Sequence, residues 1–150
     1  MKIIIAAVGK EKDFPAHELV ADYTSRIEHY LPIEWHFIPA STPHEESSRL
    51  IRLIEAQKGG AHCILLDEQG KNLTSTQLAS FVQTRLNEGR KSIIFLIGGA
   101  HGFDATIRNK AQTTLALSSL TFPHQLVRLI LAEQLYRACT IMKGEKYHHE

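Results

Sequence analysis

The chain has 150 residues, 43% hydrophobic and 22% charged, with a formal net charge of +1. That length supports one buried core and leaves little room for a second independent domain, and the composition is that of an ordinary globular protein. No apolar run is long enough to span a bilayer; the opening run, residues 1–8, lacks a signal-peptide cleavage site and passes at once into charged residues.

Residues 3–8 form a continuous apolar run closed by Gly9, which predicts a strand covered on both faces, as in a parallel sheet. Over residues 14–30, Leu19, Val20, Tyr23, Ile27 and Tyr30 follow helical spacing, with Asp13 as the expected cap and Pro15 near the first turn. Residues 33–38 alternate apolar and polar side chains and end at Pro39, the pattern of an edge strand. A loop over residues 39–45 leads to a second helix marked by Leu50, Ile51, Leu53 and Ile54 and stopped at Gly59 and Gly60.

Residues 63–66 predict a third strand, with Asp67, Glu68, Gln69 and Gly70 as the turn after it. Residues 73–86 form a third helix with Thr74 and Ser75 as candidate caps, ended by Asn87 and Gly89. A fourth strand covers residues 92–97, Asp104 opens a short helix through Lys110, residues 113–117 form a fifth strand, and Pro123 begins a long final helix. Strand and helix alternate throughout, which predicts an α/β fold: a mostly parallel sheet with helices on both faces. In such sheets ligands bind beyond the carboxyl ends of the strands, where the loops after Leu66, Ile97 and Leu117 fall.

The turn Gly98-Gly99-Ala100-His101-Gly102 would let a cofactor approach the backbone, although a tight strand-to-helix turn needs glycine for steric reasons alone. It matches neither the GxGxxG fingerprint nor a phosphate loop. The stretch Leu117-Ser118-Ser119-Leu120-Thr121-Phe122 mixes small hydroxylated and apolar residues, as a pocket does that reads polar edges and holds a ring. Leu66 is either a third wall of that pocket or a core leucine. Glu133 and Arg137 have the i,i+4 spacing of a surface ion pair. Arg128 lies half a circumference from Arg137, so both serve one pocket only if a second subunit contributes.

His124 at the helix start reads as a phosphate donor or an exposed structural histidine. No metal site is expected, because the nine histidines show no ligand spacing. Cys63 and Cys139 sit in apolar segments without nearby ligands and read as buried free thiols in a reducing compartment, the cytoplasm. Charge is uneven: residues 1–89 carry 9 basic and 12 acidic side chains, residues 90–150 carry 8 and 4. The basic excess falls on the glycine turn and the polar tail, where an RNA-facing end would need it. The final helix is apolar around much of its circumference and calls for cover on more than one side, such as a partner helix.

The run from Leu117 to Arg128, then Ala132-Glu133-Gln134-Leu135-Tyr136-Arg137-Ala138 and the terminal Tyr147-His148, resembles the ribosomal RNA large subunit methyltransferase H family. Ala6, Val8, Gly9 and Lys10, Leu65-Leu66-Asp67 and Ile97-Gly98-Gly99 extend the resemblance over the whole chain. It implies a single SPOUT methyltransferase domain over residues 1–150 with a C-terminal trefoil knot, acting as a homodimer with S-adenosylmethionine as cofactor. The implied reaction is methylation of N3 of a pseudouridine in 23S rRNA, with the assembled ribosome as substrate. The implied cofactor contacts are Leu66, Gly98, Gly99, Leu117, Ser118, Ser119, Leu120, Thr121 and Phe122. Tyr147, His148 and Arg137 are the catalytic candidates, with the tail of one subunit lying over the cofactor of the other, and His124 and Arg128 are the RNA-binding ones. Competing readings are a knotted enzyme acting on transfer RNA and a non-catalytic ribosome assembly factor.

Overall fold

The computed structural model describes residues 1–12 and 15–149. Its elements run β1 (Lys2–Val8), α1 (His17–Ile27), β2 (Ile33–Ile38), α2 (Pro43–Glu55), β3 (Ala61–Asn72), α3 (Ser75–Asn87), β4 (Ser92–Ile97), α4 (Ala105–Lys110), β5 (Thr113–Ala116) and α5 (His124–Met142). The five strands form one sheet in the order β2-β1-β4-β3-β5, and every pairing is parallel. The alternating strand and helix pattern is thus realised as an α/β sheet.

Alternation along the strands divides the core in two. Ile3, Ile5 and Ala7 of β1 and Ile93, Phe95 and Ile97 of β4 face Ile27 of α1, Leu78 and Val82 of α3, and Leu131, Leu135 and Cys139 of α5. Ile4, Ala6, Ile94 and Leu96 face Leu50 and Ile54 of α2 and Ile107 of α4. Burial on both faces explains the unbroken apolar runs of β1 and β4. β2 lies at the sheet edge and is only half-buried, as its alternating sequence requires.

Three element boundaries differ from the sequence expectation. α1 spans only His17 to Ile27: its N-cap is Ala16 without a side-chain cap, Tyr30 lies beyond its end, and the expected cap Asp13 is outside the described residues. α2 starts earlier than expected, because Thr42 accepts the Glu45 N–H and Pro43 fits the first helical position. β3 does not stop at Leu66. Leu66 and Lys71 both align with Leu115 of β5, so Asp67 to Gly70 form a bulge within a longer strand instead of a terminal turn. Gly70 is required there, since a Cβ would meet the backbone of Thr114 and Leu115 at 2.8 Å. At α3 the capping residue is Thr74, in a reciprocal box with Gln77. Among the described residues no helix is long and apolar enough to cross a membrane.

Candidate active site

A cavity of about 380 Å³ opens between the bulge of β3 and the carboxyl ends of β4 and β5 and is closed by the first turn of α5. Leu66, Asp67 and Glu68 line it from the β3 bulge, Gly98, Gly99, Ala100, Gly102 and Phe103 from the turn after β4, and Leu117, Ser118, Leu120, Thr121 and Phe122 from the segment after β5. Pro123, His124 and Val127 complete the wall. The parallel sheet brings these loops together because all its strands end on one edge. Leu66 is both things the sequence allowed, a pocket wall and a residue packed on the core. Ser119 does not line the cavity; its Oγ accepts from Asn72 Nδ2 at 3.2 Å.

The glycine turn has a steric logic. A Cβ at Gly98 would sit 3.2 Å from the Phe103 ring, and one at Gly99 would sit 2.9 Å from Val8 Cγ1. Gly102 takes φ +66°, and its N–H donates to the Gly99 carbonyl at 3.1 Å to close the turn. Behind it, the buried Glu46 of α2 accepts the Ser41 N–H at 2.8 Å through Oε2 and aims Oε1 toward Gly99. No local pattern announces this contact, since Glu46 and Gly99 lie far apart along the chain.

Downstream of the turn, Asp104 caps α4 by accepting the Ile107 N–H at 3.1 Å and the Ser47 hydroxyl at 2.6 Å. At the cavity rim the Gln69 N–H and then the Arg108 guanidinium, 2.7 Å away, hold the Asp67 carboxyl below the usual carboxylate range.

The terminal tail folds back on α5. Arg137 and Glu133 pair through Nε at 3.0 Å and through Nη2, and the Tyr147 hydroxyl donates to the same Glu133 oxygen at 3.2 Å. The pair is not the ordinary surface bridge expected from its spacing: its side chains are 23% and 19% exposed, beneath the Tyr147 ring. Nη1 of Arg137 meets Nδ1 of His148 at 3.1 Å. Burial, with help from Tyr23 and Glu133, pushes the Tyr147 phenol up to about 12. A second latch joins the Tyr30 hydroxyl to Glu145 at 2.7 Å. None of Arg137, Tyr147 and His148 lines the cavity. His124 and Arg137 are separated along α5 by roughly 20 Å at ~1.5 Å per residue.

Arg128, expected among the RNA contacts, is only 2% exposed. Its Nη1 donates to the Lys10 carbonyl at 2.8 Å, its Nη2 to the Val8 carbonyl at 3.2 Å, and its guanidinium lies 5.2 Å from the centre of the Phe37 ring. Among the described residues no group of His, Cys, Asp or Glu could hold a metal ion.

A family model described as "Predicted SPOUT methyltransferase" matches residues 1–148. The chain belongs to the SPOUT methyltransferase family. Among similar proteins are two named ribosomal RNA large subunit methyltransferase H. That of Coprothermobacter proteolyticus is 45% identical, covering 99% of each chain. That of Cytophaga hutchinsonii is 42% identical, covering 99% of this chain and 100% of the relative. The SpoU methyltransferase AviRb of Streptomyces viridochromogenes, solved with the cofactor AdoMet, shares the fold with TM-score 0.53 at 10% identity, over 97% of this chain and 59% of that one. Such a likeness concerns the fold alone. This SPOUT chain carries a cavity at the first turn of α5 and a polar tail latched back onto the same helix at Glu133 and Arg137.

Proposed function

We propose that this chain uses S-adenosylmethionine to methylate N3 of a pseudouridine in 23S rRNA, acting in the cytoplasm as a homodimer on the assembled ribosome. The observation that carries the reading is the cavity between the β3 bulge and the β4 and β5 ends in a chain of this family. Its chemistry suits a sulfonium: no lysine or arginine is among the described lining residues, Glu68 stands on its rim, and the nearby Arg108 charge is neutralised by Asp67. Apolar Leu66, Phe103, Leu120 and Phe122 would hold a ring, and the backbone of residues 117–122 would read its polar edge, with Gly98 and Gly99 allowing close approach. Ser119 belongs to this segment through its neighbours. Membership of the family and the fold likeness support the C-terminal trefoil knot.

S-adenosylmethionine, held by Leu66, Gly98, Gly99 and residues 117–122, would supply an electrophilic methyl group for N3, whose proton would leave to water. The protein's part is alignment, which is worth many orders of magnitude in a bimolecular transfer. Tyr147 and His148 suit orientation better than proton removal. The Tyr147 phenol is held protonated, and Nδ1 of His148 faces a donor-only guanidinium, so neither group is set up as a base. Arg137 fixes the tail, and His124 at the cavity rim is placed for RNA phosphate. Tyr147 reaches back only to Glu133 of α5 and no tail residue lines the cavity of its own chain, so a second copy would bring its tail to the cavity, which is the argument for the homodimer.

The test is transfer of labelled methyl to ribosomes, subunits and naked rRNA from a strain lacking this protein, with the labelled nucleotide mapped. Label on one pseudouridine of large-subunit RNA in ribosomes is expected; cofactor binding without transfer to any of these, or label found only when transfer RNA is added as a further substrate, overturns the reading. Mixed dimers test the shared site: a tail-truncated subunit and a cavity-blocked one are each inactive alone and recover activity when combined.

A further inference from the structure

Gly9 marks an unusual junction. It takes φ +117°, and a Cβ there would sit 2.9 Å from Nη2 of Arg128. The buried guanidinium thus occupies the space a side chain would fill and donates to the carbonyls on both sides of Gly9, those of Val8 and Lys10. A buried arginine bonded to two backbone carbonyls fixes the direction in which the chain leaves β1. Lys10 and Lys12, both exposed, follow Gly9 directly beyond the carboxyl end of β1.

This exit lies beside the cavity. β1 pairs with β4 up to Ala7 and Ile97, Val8 packs under Gly99, and neighbouring strands are about 4.8 Å apart. Arg128 follows Val127, a cavity-lining residue, so one turn of α5 touches both the cavity and the β1 exit. Glu11 lines a neighbouring cavity together with Trp35, Phe37 and Arg128, on the α1 side. His101 stands exposed on the adjacent glycine turn, and Asp67 across the cavity is paired with Arg108.

We propose that Lys10 and Lys12 form a phosphate-binding rim for the rRNA backbone beside the cavity, and that Arg128 is the positioning residue that sets this rim by holding the carbonyls around Gly9. The inference rests on the rRNA reading above and assigns Arg128 no contact with RNA. Lysine contacts to phosphate release counterions, so they appear as the slope of binding against salt.

The experiment measures binding to ribosomes by sedimentation across a salt series, with cofactor affinity and thermal stability recorded alongside. Lys10→Ala/Lys12→Ala should leave cofactor affinity unchanged and make the slope of log K against log salt shallower by about two, one unit per lost phosphate contact. In methyl transfer, KM for ribosomes should rise with kcat preserved. Arg128→Lys cannot span two carbonyls and should flatten the slope similarly, with no further loss when combined with the lysine changes. Gly9→Ala attacks the same lock from the loop side and serves if Arg128→Lys fails to fold. A lysine double variant with the wild-type slope overturns the proposal, as does an Arg128 or Gly9 variant that loses thermal stability but keeps the slope. Should wild-type protein bind ribosomes with this salt dependence yet transfer no methyl, the catalytic reading fails and the rim stands.

Discussion

Nη1 of Arg137 lies 3.1 Å from Nδ1 of His148, while Nε of the same guanidinium donates to Glu133 at 3.0 Å. A guanidinium only donates, so Nδ1 of His148 accepts and the ring proton resides on Nε2. Nitrogen-15 NMR of the imidazole should show the Nε2–H tautomer in the wild type and a mixture in Arg137→Ala. The stability cost of that substitution should be about 1 kcal/mol or less, because the pair remains partly solvated. A dominant Nδ1–H form would contradict the orienting role given to His148.

Gly99 and Val8 compete for one space, with a built Cβ 2.9 Å from Val8 Cγ1. Gly99→Ala should cost about 1–3 kcal/mol as an overpacking change and weaken cofactor binding through the displaced turn. Val8→Ala makes room, so the double variant should be more stable than the sum of the single effects by at least about 1 kcal/mol in urea unfolding. Strict additivity would mean that the turn yields elsewhere.

Asp104 is held below the ordinary aspartate range first by the Ser47 hydroxyl, with the α4 N–H groups adding to the effect. A carboxyl lowered in the folded state contributes stability that is complete above its unfolded pKa, about 3.9. That contribution is lost as pH falls through the lower folded value. Asp104→Asn should therefore flatten the acid limb of the stability profile below about pH 4. Asp104→Ala should cost about 0.5–2 kcal/mol at neutral pH by removing the cap.

Cys63 and Cys139 are fully buried, and burial pushes their thiols up to about 12 and about 11. Neither should react with an alkylating reagent at pH 8 while the protein is folded, since only the thiolate attacks. Both should react in denaturant. Rapid native labelling of Cys139 would show that α5 opens locally.

Local rules reached far into this structure. Apolar runs specified β1 and β4, the ending at Pro39 specified β2 as an edge, Asp104 and Thr74 announced their helices, and glycine and small-residue segments marked two walls of the cavity. Each of these signals lies within a few residues of the structure it controls. Tertiary contact decided the rest. β3 runs on past Leu66 because Lys71 finds Leu115, Arg128 turns inward because Val8 and Lys10 present carbonyls from the far end of the chain, and Glu133 is covered by Tyr147 after the tail reverses. Helical spacing shows that an arginine and a glutamate can meet, but whether they meet in water or beneath an aromatic ring depends on chain segments that only the folded sheet brings together.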